Sequence, residues 1–185
     1  NRSGRAARFE SHHAQSPHAQ TRNHAPATAS GESLATRRHT STELNNLPCS
    51  IQEMAASDWE QVRSIYLEGL REGNSTFETE APSWDAWDES HHTTPRLVMR
   101  AGDRVVGWAA LSPVSKRRVY SGVAEVTIYV TQSARGKGIG RALLEALIEE
   151  SERAGIWTLQ TSIIPENAAS VELHLKCGFR EVGKR

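Results

Sequence analysis

Between residues 50 and 182 the spacing of apolar positions switches between a period of two and one near 3.6, and each switch marks an element. Residues 50–54 (Ser-Ile-Gln-Glu-Met) predict a short first strand. Val62, Ile65, Tyr66 and Leu70 then share one helical face, and Gly73 ends that helix. Ser57 and Glu60, three apart, predict a capping box at its start. After a loop at residues 75–79, Ser83 is placed to cap a short helix through Trp84 and Trp87 to about His91. Residues 97–99 and 105–111 predict a hairpin around Gly102-Asp103. Residues 123–130 (Val-Ala-Glu-Val-Thr-Ile-Tyr-Val) predict a strand with Glu125, Thr127 and Tyr129 on one face and Val126, Ile128 and Val130 on the other.

Beyond residue 138 the helical period returns. Ile139, Leu143, Leu144, Leu147 and Ile148 form a buried stripe. Arg141, Glu145, Glu149, Glu152 and Arg153 form the outer face, and Gly155 stands where a terminating glycine belongs. Residues 158–164 are rich in β-branched side chains and predict a strand. Asn167 is placed to cap a helix through Val171 and Leu175 to Cys177, closed by Gly178. Phe179–Val182 predicts the start of a further strand. The order β-α-α-β-β-β-α-β-α-β predicts an α/β (α+β) mixed sheet with helices packed on it.

Between the strand at 123–130 and the following helix lie Gly136, Gly138 and Gly140, flanked by Arg135, Lys137 and Arg141. Strand, basic glycine loop and helix is a geometry for holding phosphates. Glycines admit unusual φ/ψ and close backbone approach. The unpaired N–H groups of a first helical turn, with the helix dipole, attract an anion. A Walker loop is excluded, because Gly136-Lys137 is followed by Gly138 and not by Ser or Thr. A dinucleotide fingerprint is excluded too, because the sixth position counted from Gly136 is Arg141. The remaining pattern, Arg-x-x-Gly-x-Gly at Arg135, Gly138 and Gly140, resembles the acyl-CoA pyrophosphate loop of the GCN5-related N-acetyltransferases (GNAT). A ligand-free glycine turn is the alternative.

Composition sharpens the domain boundary. The 185 residues suit one domain, and the formal net charge of zero points to no polyanion such as nucleic acid. Residues 1–48 hold one aromatic, Phe9, no Ile, Val, Trp or Tyr, and five of the eight histidines. Such a segment buries too little apolar surface to offset its ordering entropy, so disorder is expected there, with a domain at 49–185. A metal-binding His tail is the alternative for residues 1–48, and its spacing is irregular. Cys49 and Cys177 match no metal or redox spacing. No apolar run reaches a membrane span, and no signal-peptide core stands near the start, so a cytoplasmic location and no membrane partner are expected.

The resemblance covers about residues 49–185 and is closest to the phosphinothricin and amino-acid N-acetyltransferase branch. Residues 75–79 (Ser-Thr-Phe-Glu-Thr), 124–130, 135–140 and 165–170 (Pro-Glu-Asn-Ala-Ala-Ser), leading to Leu173-His174 and Gly178-Phe179, carry it by their joint order. In that family another strand follows the Gly-Phe strand. This chain ends at Arg185, so the resemblance implies a GNAT fold lacking its final C-terminal strand.

The implied reaction is direct acetyl transfer from acetyl-CoA, as co-substrate and without a metal, to the amine of a small molecule. Phosphinothricin, methionine sulfoximine or sulfone, and L-amino acids all fit. A protein or peptide amine, or a CoA-binding module without turnover, are the alternatives, and a homodimer is left open. An alkylammonium must lose its proton before it attacks, so a general base is needed. Glu125 is the candidate, against a plain exposed strand carboxylate. The resemblance gives His174 a place near the sulfur end as acid or base, against a buried hydrogen-bonded histidine. It implies pantetheine pairing along Ile128, Tyr129 and Val130, and phosphate contacts from Arg135, Gly136, Lys137, Gly138, Ile139, Gly140 and Arg141. Asn167 would bind the cofactor or only cap its helix. Phe77 and Glu78 would line the acceptor pocket. Trp84, Trp87, Trp108 and Trp157 are expected in the core, His91-His92 at a polar helix end, and Cys177 as a helix-end core residue.

Overall fold

A computed structural model describes residues 48–183, and the expected disorder of residues 1–47 lies outside the described residues. Five strands form one sheet in the order β1-β2-β3-β4-β5: β1 (Cys49–Glu53), β2 (Arg96–Ala101), β3 (Arg104–Pro113), β4 (Val123–Val130) and β5 (Thr158–Gln160). The first four pair antiparallel, and β4 pairs with β5 in parallel. The described residues form four α-helices, α1 (Trp59–Glu72), α2 (Trp84–Ser90), α3 (Ile139–Arg153) and α4 (Ala168–Lys176).

Side-chain alternation along the strands, shifted once where the β2–β3 register slips at Met99 and Arg100, divides the core into two layers. Leu97, Met99, Ala109, Leu111, Ala124 and Val126 face α3, where they meet the completely buried Leu143, Leu144 and Leu147. Val98, Val105, Trp108 and Ala110 face α1 and α2, meeting Trp59, Val62, Ile65 and Trp87. Each fully buried Leu contributes about 1.5–3 kcal/mol, which fixes α3 against this face of the sheet. Gly107 allows the helix this close: a Cβ there would stand 3.0 Å from Leu143 Cδ1.

Four expectations are corrected. The capping box at Ser57 and Glu60 does not form. The Ala55 N–H donates instead to Asp58 Oδ2 at 3.0 Å, and this buried carboxylate also pairs with Arg100. The strand expected at 158–164 stops at Gln160, because Thr161 donates its hydroxyl to Val126 O (3.3 Å) where a backbone donor would have continued the ladder. No strand starts at Phe179. Its N–H donates to His174 O (3.0 Å) and that of Gly178 to Leu175 O (3.2 Å), a left-handed helix end with Gly178 at φ 87°. Trp157 is not a core residue: it is 65% exposed, its ring lying across Gly122.

Candidate active site

The parallel ladder between β4 and β5 ends at the pair Glu125–Gln160. Beyond it the two strands diverge, while β4 stays paired with β3 along its whole length, from Gly107–Val130 to Pro113–Ala124. Val126–Val130 therefore present one edge without a strand neighbour among the described residues. That gap opens a cleft of about 1810 Å³. Its floor is β4, its far wall is residues 160–167 and α4, and its near wall is α1 with residues 74–82. Pro165 in this wall has no N–H to donate to a ladder.

At one end of the cleft lies the start of α3. Gly136 (φ 73°) and Gly138 (φ 79°) adopt the left-handed conformation, and open space surrounds the position of a Cβ at each. Gly138 is the N-cap, so the N–H groups of Ile139, Gly140 and Arg141 precede the first intrahelical bond, Ala142 N–H to Gly138 O at 3.0 Å. Gly140 serves packing instead: a Cβ there would stand 3.2 Å from Leu173 Cδ2. Gly136, Gly138, Ile139, Gly140, Arg135 and Arg141 all line the cleft. Lys137 does not; its ammonium donates to Ser133 O at 2.9 Å and ties the loop back on itself. Arg141 pairs with Glu145 (2.8 Å), which holds its side chain along the outer face of α3.

Glu125 sits where the strands part, opposite Ser112 on β3 and Gln160 on β5, and lines the cleft. Thr127 and Tyr129 follow on the same side, while Val126, Ile128 and Val130 pack toward α3, as the strand alternation predicts. Ile128, Tyr129 and Val130 form the open edge. The Tyr129 ring stacks on Trp108 (5.2 Å between centroids) and meets Tyr66 edge-on (5.0 Å). Burial pushes the pKa of its phenol well above the ordinary tyrosine value, with the Ser75 and Thr76 side chains opposing the shift. The Tyr66 phenol is raised for the same reason, with Thr76 opposing.

His174 lies on α4 and is 1% exposed, yet it borders the cleft. Its Nδ1 lies 2.8 Å from Ser170 O, so this nitrogen carries the proton and Nε2 is the bare one. Nε2 is buried without a hydrogen-bond partner. Burial lowers the pKa, partly opposed by the bond to the Ser170 carbonyl, so the ring is neutral at pH 7. Phe179 packs edge-on against it at 5.0 Å. Asn167 caps α4, its Oδ1 accepting from Ser170 N–H at 3.1 Å, so the capping role is real and only its Nδ2 donor is left to the cleft. Phe77 (66% exposed) and Glu78 sit on the near wall.

Several lining residues are not marked individually as site residues by the linear sequence. Tyr66, Ser75, Thr76, Trp108 and His91 join the wall only through the packing of α1, α2 and β3. His91 ends α2, stacks on Trp87 at 4.2 Å and bonds the Trp87 carbonyl through Nδ1 at 2.8 Å. Burial lowers its pKa. Its stacking could have been suspected from the i,i+4 spacing of Trp87 and His91.

A five-stranded mixed sheet split beside a glycine-capped helix start defines an acyl-transferase type of cleft, and the comparisons agree. The sequence model of the acetyltransferase (GNAT) family matches residues 59–179. The L-methionine sulfoximine/L-methionine sulfone acetyltransferase of Pseudomonas paraeruginosa is 30% identical over 146 residues, covering 75% of this chain and 84% of that protein. The phosphinothricin N-acetyltransferase of Alcaligenes faecalis is 29% identical over 149 residues, covering 76% and 75%. Among solved structures, a GNAT superfamily phosphinothricin acetyltransferase from Sinorhizobium meliloti in complex with AcCoA aligns with TM-score 0.63 at 27% identity, over 70% of this chain and 74% of that one. The chain belongs to the GNAT family and is an N-acetyltransferase.

Proposed function

We propose that this protein transfers the acetyl group of acetyl-CoA directly to the amine of a small amino-acid-like acceptor. Phosphinothricin, methionine sulfoximine or sulfone, and L-amino acids are the candidate acceptors, as the names of the relatives suggest. The observation that carries the reading is the coincidence, in one cleft, of the parted β4 edge, the glycine-capped start of α3 beyond one end of it and a carboxylate, Glu125, at the other.

In this reading the N–H groups at Gly138, Ile139, Gly140 and Arg141 receive the pyrophosphate, helped by the α3 dipole and by Arg135. The edge of Ile128, Tyr129 and Val130 takes the pantetheine amides as an added strand would, and a backbone N–H there stabilises the oxyanion. The thioester then faces Glu125. Glu125 removes a proton from the acceptor ammonium, directly or through a water, and the amine attacks the carbonyl carbon. The carbonyl reforms as the C–S bond breaks, the sulfur leaves as CoA thiolate, and the second proton shed by the nitrogen ends on that sulfur. His174, neutral with a bare Nε2, serves as an acceptor on the sulfur side and not as a standing acid. Phe77 and Glu78 close the acceptor pocket. Orienting both reactants supplies a large part of the rate.

A CoA-release assay over a panel of amines tests this. The expected result is turnover with at least one of the amino-acid-like acceptors well above acetyl-CoA hydrolysis. Release at the hydrolysis background across those acceptors, or turnover confined to peptide amines, overturns the acceptor assignment.

A further inference from the structure

Helix α1 carries Glu68 and Glu72 one turn apart, and both carboxylates reach the segment that follows β4. Glu68 accepts from Thr131 Oγ1 at 2.8 and 3.1 Å and from Gln132 N–H at 3.0 Å, fixing the turn from which the glycine loop springs. Glu72 accepts from Arg135 Nη1 with both oxygens, at 2.7 and 2.8 Å. The Arg135 Nε in turn donates to Val130 O at 3.1 Å. The guanidinium is thus gripped on two sides at the cleft's edge, beside Gly136 and Gly138.

The pair is half-exposed, with side chains 42% (Arg135) and 30% (Glu72) accessible. Such pairs add little to fold stability, so stability does not explain the arrangement. Orientation does. A guanidinium is a flat fork of five donors. With Nη1 on a carboxylate and Nε on a carbonyl, its plane is set and the Nη2 amino group is the donor that neither contact uses.

We propose that Glu72 is a positioning residue for the cofactor: it holds Arg135 so that the Nη2 side meets a phosphate oxygen. This rests on the reading of the glycine loop as a pyrophosphate site. The proposal makes a prediction opposite in sign to simple electrostatics. A carboxylate near an anionic ligand repels it, so by charge alone Glu72→Gln tightens cofactor binding. Positioning requires that the same change weaken it, because Arg135 is then free to turn away.

The test is calorimetric titration of CoA into the full chain as wild type, Glu72→Gln, Glu72→Asp, Arg135→Gln and the double Gln variant. Glu72→Gln is expected to weaken CoA about three- to tenfold, and Glu72→Asp to recover part of that loss. In the Arg135→Gln background, Glu72→Gln is expected to cost nothing further. In turnover, KM for acetyl-CoA rises while kcat at saturation holds. Unchanged or tighter CoA binding by Glu72→Gln, or an equal loss when Arg135 is already replaced, overturns the proposal. A wild type that takes up no CoA while remaining folded in a thermal melt overturns the pyrophosphate reading itself, which is a distinct result.

Discussion

The two ends of the cleft are built on different principles. In the proposed reading the cofactor end comes from one continuous stretch, residues 128–141, and rests mainly on main-chain N–H donors with Arg135 beside them. The proposed acceptor end is lined by α1 (Tyr66), the loop at 75–78, the end of α2 (His91), β3 (Trp108) and β4 (Glu125, Tyr129), and in that reading it works through side chains. A backbone site is sensitive to conformation and indifferent to many side chains. A side-chain site is sensitive to register and packing. Substitutions therefore separate the two ends.

The largest effect is expected at the acceptor end. Glu125→Gln keeps size but cannot take a proton, so kcat falls about 10²- to 10⁴-fold while acetyl-CoA affinity holds. The residual rate rises with pH as more acceptor amine becomes neutral. Steady-state kinetics beside a binding isotherm checks this, and near-normal kcat at pH 7 moves the base elsewhere. At the cofactor end the pattern inverts. Gly138→Asp places a charged side chain on a left-handed residue (φ 79°) at the helix start. Acetyl-CoA affinity then drops by about 1–3 kcal/mol, read by calorimetry. Equal affinity would remove the phosphate role of the loop.

A smaller effect crosses between the ends. A Cβ on Gly69 would stand 2.5 Å from the Tyr129 ring, and Ser75 Oγ already donates to Gly69 O at 2.6 Å. Gly69→Ala gains helix propensity but pushes the ring, for a net loss of about 1–2 kcal/mol. A melting temperature roughly 2–6 °C lower and a raised acceptor KM, with CoA affinity kept, is the expected outcome; an unchanged acceptor KM would detach Tyr129 from the acceptor wall. The smallest effect concerns pH. His174 is held neutral by burial, its pKa below the ordinary 6.5. Below 6.5 the unfolded chain gains a proton that the folded ring refuses, so stability is lost as pH falls from 6.5 toward the lowered folded value. Denaturant melts of His174→Gln should show a shallower acid-side slope than wild type. His91 and His92 are lowered in the same direction and keep part of the slope.

Much of the frame was legible without the structure. The buried stripe of α3, the Gly73 and Gly155 ends, the Ser83 cap with its bond from Ala86 N–H (3.3 Å), and the bounds of β4 follow the periodicity. Each rests on contacts within a few residues or on a repeat that one face imposes. The misreadings lie where another partner took over: Asp58, bonded to the Ala55 N–H and paired with Arg100, replaces Ser57 and Glu60 at the helix start, Thr161 ends β5 early, and the Phe179 N–H closes α4 instead of opening a strand.

The sequence by itself determined the mixed sheet, the glycine-capped helix and the placement of Glu125 on the polar side of β4, because alternation and caps are local properties. Only the tertiary structure decided that β4 and β5 part just beyond Glu125 and that five separate segments bring rings and hydroxyls to one wall. It alone placed Glu72 on Arg135, 63 residues apart. Those arrangements depend on which elements pack together, and no local spacing encodes the distance between two segments that meet only after folding.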